Sequence, residues 1–455
     1  MTSFSEFSTH RRTAAILLGE GTSAAYLAGV MSALKNAGVR IDIILGKGAG
    51  ALVAVFSAID AEERLHGDAG LLAGASVERP WRLRPLYKLT FACLLVAMAV
   101  FLSPVLFGLA LPLQALGHVL FGGAETVLPR VGVLWLPALL DAAEPVYLRA
   151  MVLPLVALCA IWVVWWLSSF ARQRSAPSLP ELYDLEPLAA LVETKLWQAV
   201  RGALTSDRPK ERRDIGAAYQ ELLSGSLGQL GFREIVFYAL DTDSGREVSF
   251  ALLKDRFFRK FSSNGAGRAP RRETIDLAKD GGPLLFDALM AALSPVGLVP
   301  TVPIKLPLDT TFGGEVHRFA GSLLSGSSAV QDAVAAGAEQ IIYVAGCAPS
   351  DRPGGNAIER LMEASLRRTL SDDLAEATRQ NDLPVFLIRP DKQRLNPFEV
   401  TGRAQIGNER FNLNALVAHG RRDALRLFVE PVLGDDASEQ DRSSMKVPQA
   451  GPREL

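Results

Sequence analysis

Charge, cysteine and histidine are all scarce in this 455-residue chain. Charged residues make up 21% of it against 49% hydrophobic ones, and the formal net charge is −1. Binding a phosphate backbone needs a basic excess that this chain lacks, so no nucleic-acid partner is expected. Only three cysteines occur, Cys93, Cys159 and Cys347. They are far apart with no C-x-x-C spacing, which speaks against a disulfide framework or a zinc site and fits a reducing compartment. The five histidines, His10, His66, His118, His317 and His419, show no metal-ligand spacing. Neither a metal nor a cofactor is expected, and no internal repeat is visible.

A serine is also missing from a place where the surrounding residues call for one. The stretch Asp42-Ile43-Ile44-Leu45-Gly46-Lys47-Gly48-Ala49-Gly50-Ala51-Leu52 runs from an apolar strand through G-x-G-x-G into a helix. With serine at the central position this would be a nucleophile elbow, a sharp turn that presents a hydroxyl at a helix N-terminus. Here that position is Gly48, which allows the turn but has no side chain to attack a carbonyl. Upstream, Thr13 to Leu18 is a short apolar run. It leads into Gly19-Glu20-Gly21-Thr22-Ser23-Ala24-Ala25-Tyr26-Leu27-Ala28-Gly29-Val30, a glycine-rich turn opening a helix.

In register and spacing these residues resemble the patatin-like phospholipase family. Ala25, Tyr26, Ala28, Gly29 and Val30 match the family's first helix, and Asp42, Gly46, Ala49, Gly50, Ala51 and Leu52 match its elbow. Asp287 to Pro303 resembles the family's small-residue helix and proline-rich crossing. His317-Arg318-Phe319-Ala320-Gly321-Ser322 stands where the family's D-G-G motif is expected, followed by a helix to Ala338 and a strand from Gln340 to Ala345. The resemblance places the nucleophile at Gly48 and the catalytic Asp at Ala320, so both dyad members are absent and no catalytic residue is expected. The oxyanion-loop equivalents are Gly19, Glu20 and Gly21, with Ser23 in place of the family's arginine and Ala24 in place of its last glycine. A carboxylate at position 20, if it points inward, opposes a developing oxyanion. Loss of a serine nucleophile costs on the order of a millionfold in turnover, and the residual rate depends on the same oxyanion donors that are altered here.

The resemblance therefore implies an inactive homologue, a lipid-binding or scaffolding pseudoenzyme. Two alternatives remain: an acyl hydrolase using Ser23, whose Gly21-Thr22-Ser23-Ala24-Ala25 setting imitates an elbow, or a structural membrane subunit. Against the first, Ser23 reads more simply as a helix cap. Lys47, with Gly46 and Gly48, is a candidate ligand-binding group for a phosphate or carboxylate, the plainer expectation being a solvent-facing lysine.

From Leu89 through Ala124 and from Ala150 through Ala171 the chain carries no charged residue. A bilayer core of about 30 Å needs roughly 20 apolar helical residues. On that ground Leu89 to Leu111 and Met151 to Phe170 are expected to span a membrane, with Trp162, Trp165 and Trp166 as interfacial anchors. Arg79, Arg82, Arg84, Lys88, Arg172 and Arg174 flank the outer ends and place both in the cytoplasm by charge bias. The expected localisation is an integral protein of the inner or plasma membrane with its patatin-like domain cytoplasmic.

The expected fold class is α/β, a patatin-like three-layer α/β/α domain interrupted by a transmembrane helical hairpin. Its parts are 1–88, the N-terminal portion of the domain; 89–171, the hairpin with its connector; 172–433, the C-terminal portion; and 434–455, a disordered polar tail. Within the third part, Leu185 to Leu230 reads as helix with a charged interruption, and Ile235 to Leu240 and Glu247 to Leu253 as a strand pair. Ala357 to Thr378 reads as helix, Pro384 to Ile388 as a strand and Leu413 to Phe428 as the final helix. Lys254, Arg256, Phe257, Phe258, Arg259, Lys260 and Phe261, with Arg268, Arg271 and Arg272, form a basic and aromatic patch suited either to anionic headgroups or to an ordinary packed surface. The expected partners are membrane lipid and possibly a protein.

Overall fold

The computed structural model describes residues 7–66, 70–72, 82–99, 102, 154, 156–164, 183–202, 211–264, 272–279, 281–322, 328–347, 357–380, 383–390, 403–406 and 409–433. Two compact units are present: Met1–Arg82 together with Tyr183–Leu455, and Leu83–Leu182.

The first unit is a mixed α/β structure built on a nine-stranded sheet. Its strands are β1 (Thr13–Gly19), β2 (Ile43–Gly48), β3 (Glu234–Asp241), β4 (Arg246–Leu252), β5 (Arg272–Asp276), β6 (Val302–Lys305), β7 (Val316–Gly321), β8 (Gln340–Ala345) and β9 (Val385–Ile388). The main path runs β9-β8-β1-β2-β3-β4-β5, with β7 pairing to β3 and β6 to β7. The pairings β8/β9, β1/β8, β1/β2, β2/β3 and β4/β5 are parallel; β3/β4, β3/β7 and β6/β7 are antiparallel. Continuous apolar strands such as β1 and β8 belong in a parallel sheet covered on both faces, because neither face can tolerate water. Alternate side chains do reach separate cores: Ala15, Leu17 and Ile44 pack in one, Ala14, Ile16, Leu18, Ile43 and Leu45 in the other.

The helices carried by this sheet include α1 (Ser23–Asn36), α2 (Ala49–Ala58), α3 (Glu186–Arg201), α4 (Arg212–Ser226), α5 (Asp255–Asn264), α6 (Leu285–Ala292), α7 (Ala329–Ala335), α8 (Ala357–Arg379) and α9 (Leu413–Ala424). Helices α1 and α9 cross with their backbones almost touching. A Cβ on Gly29 would stand 2.1 Å from the carbonyl oxygen of Val417, and one on Gly420 2.1 Å from that of Tyr26. Tyr26 Oη donates to Asp423 Oδ2 across the same crossing at 3.1 Å. The Tyr and Gly of the first-helix motif thus serve packing.

The transmembrane hairpin is corrected. Of the two runs expected to span, the described parts are helical over residues 85–99 and 156–164, and the remainder lies outside the described residues. Among the described residues no helix is long and apolar enough to cross a membrane. The integral-membrane localisation, and the orientation argued from flanking charges, fall with it. Pro104 lies within the first apolar run and disfavours helix at the residue before it. Within this unit Trp162 Nε1 donates to Thr90 Oγ1 at 3.2 Å, and the Tyr87 and Trp162 rings meet edge-on. The Pro112–Tyr147 connector, Trp165, Trp166 and the tail from 434 lie outside the described residues.

Candidate functional site

The elbow is built by the β2–α2 junction. β2 ends at Gly48 and α2 begins at Ala49, with Gly48 at φ 58° and ψ −126°. This backbone region is closed to ordinary side chains without strain. The flanking glycines are required by close approach: a Cβ on Gly46 would stand 2.6 Å from the Ala51 backbone, and one on Gly50 2.0 Å from the Leu17 carbonyl oxygen. The strand therefore reverses into its helix with no room for a side chain on either arm.

The space that a nucleophile would use is already taken. β1 and β2 pair so that Gly19 stands opposite Gly48, which brings the next residue, Glu20, over the elbow. A Cβ on Gly48 would lie 2.1 Å from Glu20 Oε1 and 2.4 Å from the Gly19 carbonyl oxygen. Glu20 is 2% exposed, and its Oε1 is buried without a hydrogen-bond partner among the described residues. Burial raises this carboxyl well above the usual carboxylate range. Burial disfavours the charged form, so the neutral acid is favoured.

Around Glu20 the loop from Gly19 to Ser23 turns tightly. Gly21 has φ 52°, and the amides of Ser23 and Ala24 donate to the carbonyls of Glu20 (3.0 Å) and Gly21 (3.2 Å). Those two donors are spent within the loop. Ser23 does not cap the helix as expected: Thr22 holds the N-cap position without a side-chain cap bond, and Ser23 Oγ is buried without a partner among the described residues. The Ser23 hydroxyl lies against Gly19 and Gly346, since a Cβ on either would meet it. A serine without a hydrogen-bonded base is not activated for attack.

Ala320 lies on β7, where Leu240 is its partner on β3. β2 pairs with β3 from Glu234 to Phe237, and β7 pairs with it from Ala239 to Asp241. β4 covers the other edge of β3 throughout. β7 therefore takes over the edge that β2 leaves, and the Gly46/Phe237 register continued by two residues brings Gly48 level with Ala239 and its partner Gly321. Ala320 is fully buried and contributes a methyl group. An apolar cavity of about 40 Å³ lies beside the elbow, lined by Gly21, Thr22 and Ala49 at one side and by leucines including Leu52, Leu188 and Leu293. Neither Gly48 nor Ala320 lines it. Nothing in the sequence separates these leucines from ordinary core.

Lys47, considered as an anion ligand or a solvent-facing lysine, is 1% exposed. Its Nζ lies 3.9 Å from Glu247 Oε1 and 5.2 Å from the centroid of the Tyr238 ring, so its nearest anion is the protein's own. The basic and aromatic patch is divided by α5. Phe261 is buried, Phe257 carries the Arg12 guanidinium 3.6 Å above its ring, and Arg256, Arg259 and Lys260 are exposed. Arg268 and Arg271 lie outside the described residues.

Sequence reading passed over one polar cluster, at the Asp241 end of β3, next to the Leu240/Ala320 pair. His317 Nδ1 lies 2.6 Å from Asp241 Oδ2 and its Nε2 3.3 Å from Glu315 Oε2. Ser244 Oγ also donates to Asp241 Oδ2, at 2.5 Å. The bond to Asp241 chiefly raises the His317 pKa. Ser244 bonds the Asp rather than the imidazole, so the three do not form a nucleophile–base relay. Among the described residues no group of three or more His, Cys, Asp or Glu side chains is placed to hold a metal ion.

No family model matches the chain, and no curated protein matches it. Among solved structures it is similar to VipD from Legionella pneumophila, with a TM-score of 0.34 and 11% sequence identity over 93% of this chain and 69% of that one. A likeness of this degree establishes no shared fold.

Proposed function

We propose that the chain is a patatin-like protein without Ser–Asp dyad hydrolysis, a pseudoenzyme that binds lipid acyl groups or scaffolds a partner. The observation that carries this reading is the elbow: a strand–turn–helix with nucleophile-type backbone geometry at Gly48, whose side-chain space is filled by the Glu20 carboxyl. Ala320 on the strand that continues beyond β2 supplies no acid or base. A buried neutral acid beside a leucine-lined cavity suits holding an acyl compound better than cleaving one, since no activated nucleophile stands in reach.

The lipid half of the reading is tested by extracting the purified full chain with organic solvent and weighing the extract by mass spectrometry. Acyl lipid at near-stoichiometric amount is expected. A chain that copurifies with none, and takes up none from mixed lipid vesicles, is a scaffold alone.

A further inference from the structure

The inner half of the β6–β7 hairpin is held by apolar burial and its outer half by polar contacts. Ile304, Leu306, Phe319 and Ala320 are buried, whereas Leu308 and Val316 are 88% and 61% exposed. In the outer half the Thr311 amide donates to Glu273, and Arg318 Nη2 lies 2.6 Å from Asp243 Oδ1. His317 reaches two acids at once. Its Nδ1 stands 2.6 Å from Asp241 Oδ2 and its Nε2 3.3 Å from Glu315 Oε2. A neutral imidazole has one N–H and one lone pair and can satisfy only one of two such acceptors, whereas the imidazolium donates to both.

We propose that His317 is a proton-operated latch: as the imidazolium it ties residues 306–315 to the β3–β4 turn, and on losing its proton it lets that loop loosen. The two acids differ in how firmly they are placed. Asp241 is buried, and its Oδ1 accepts from the amides of Asp243 and Ser244 while its Oδ2 also accepts from Ser244 Oγ. Glu315 is 68% exposed and has water to turn to. Deprotonation therefore keeps the bond to Asp241 and sets a lone pair on Nε2 against Glu315, acceptor facing acceptor. The other charges nearby leave this balance in place. Asp243 is taken by Arg318, Glu273 by the Thr311 amide, and the Arg246 guanidinium lies 5.4 Å from the centroid of Phe312, the ring that packs on the imidazole. The bond to Asp241 raises the His317 pKa most, burial opposes it, and Glu315 adds to the rise. The folded pKa lies above about 6.5, so the latch is closed below that pH and opens as pH rises through the folded value.

The test is amide hydrogen exchange of the full chain at pH 6 and pH 9, read by mass spectrometry with exchange times scaled to the intrinsic rate at each pH. Peptides from residues 306–318 report the loop, and peptides from β1 and β2 serve as the internal reference. The opening equilibrium of the loop should rise roughly twofold to tenfold from pH 6 to pH 9, the range for losing one partly exposed charge contact, with the reference unchanged. His317→Gln cannot become a double cation-type donor, so its loop should be as open at pH 6 as at pH 9. Glu315→Gln alters an exposed side chain and leaves the core alone. Its amide can donate to a neutral Nε2 and its carbonyl can accept from a protonated one, so this variant should keep the loop closed at both values. Equal opening at pH 6 and pH 9 in the unmodified chain overturns the latch. So does a pH dependence that β1 and β2 share, or one that survives in Glu315→Gln.

Discussion

The carboxyl of Glu20 and the α-carbon of Gly48 share one space: a Cβ at position 48 would stand 2.1 Å from Glu20 Oε1. The glycine at position 48 and the glutamate at position 20 are thus sterically coupled across two strands. Restoring a serine is opposed by the glutamate, by the Gly19 carbonyl and by the backbone angle of Gly48. Gly48→Ser should lower the unfolding free energy by roughly 1–3 kcal/mol from backbone strain, with steric cost added. In a Glu20→Ala background the same substitution should cost less. A double-mutant cycle by urea denaturation reads the difference as a coupling energy, and strictly additive effects would remove the contact from the account.

Glu20 also makes stability depend on pH with a definite sign. Its folded pKa lies above the unfolded value of about 4.3, so between the two values the folded state binds more protons. The stabilisation of the neutral acid is present below about pH 4.3 and is lost as pH rises through the folded pKa. Glu20→Gln removes the titration. The thermal midpoint of this variant relative to the unmodified chain should rise from pH 4.5 to pH 8, and a constant difference would mean that Glu20 is already ionised in the fold.

His317 gives a second pH dependence, through Asp241 and Glu315. The partners raise its folded pKa above the unfolded value of about 6.5, so the added stability is complete below about pH 6.5 and is lost as pH rises through the folded pKa. His317→Gln should therefore destabilise the chain more at pH 6 than at pH 9. Equal losses at both values would assign His317 a packing role against Phe312, whose ring centroid lies 4.7 Å away.

At the α1/α9 crossing, Gly29→Ala places a methyl group into the Val417 carbonyl. Overpacking of this kind costs about 1–3 kcal/mol, and the helices would have to separate to relieve it. Chemical denaturation should show the loss. A neutral Gly29→Ala would mean that the helices already have room between them.

Much of the sheet around the elbow was legible because backbone requirements reach the sequence directly. The apolar runs of β1 and β2 could be read, as could the three elbow glycines, two of which are fixed by contact with Ala51 and Leu17. β6 and β7 were not read as strands: β6 carries Pro303, and β7, Val-His-Arg-Phe-Ala-Gly, has polar residues and pairs with both β3 and β6. Glu20 reads in sequence as an altered loop residue. Its place over Gly48 is set by the Gly19/Gly48 register, a relation between residues far apart in the chain. The membrane-spanning expectation rested on hydropathy, which reports composition, whereas among the described residues no helix is both long and apolar enough to cross a membrane.

The central claim, an elbow that holds no activated nucleophile, is tested most directly by exposing the purified full chain to a fluorophosphonate probe and measuring its intact mass. Only a serine activated by a neighbouring base reacts with such a probe at a useful rate. The unmodified chain and Ser23→Ala should both keep their unlabelled masses, while an active serine hydrolase treated in parallel is labelled. A single adduct on the unmodified chain that disappears in Ser23→Ala would contradict the account and make Ser23, buried beside Gly19 and Gly346, the nucleophile of an active enzyme.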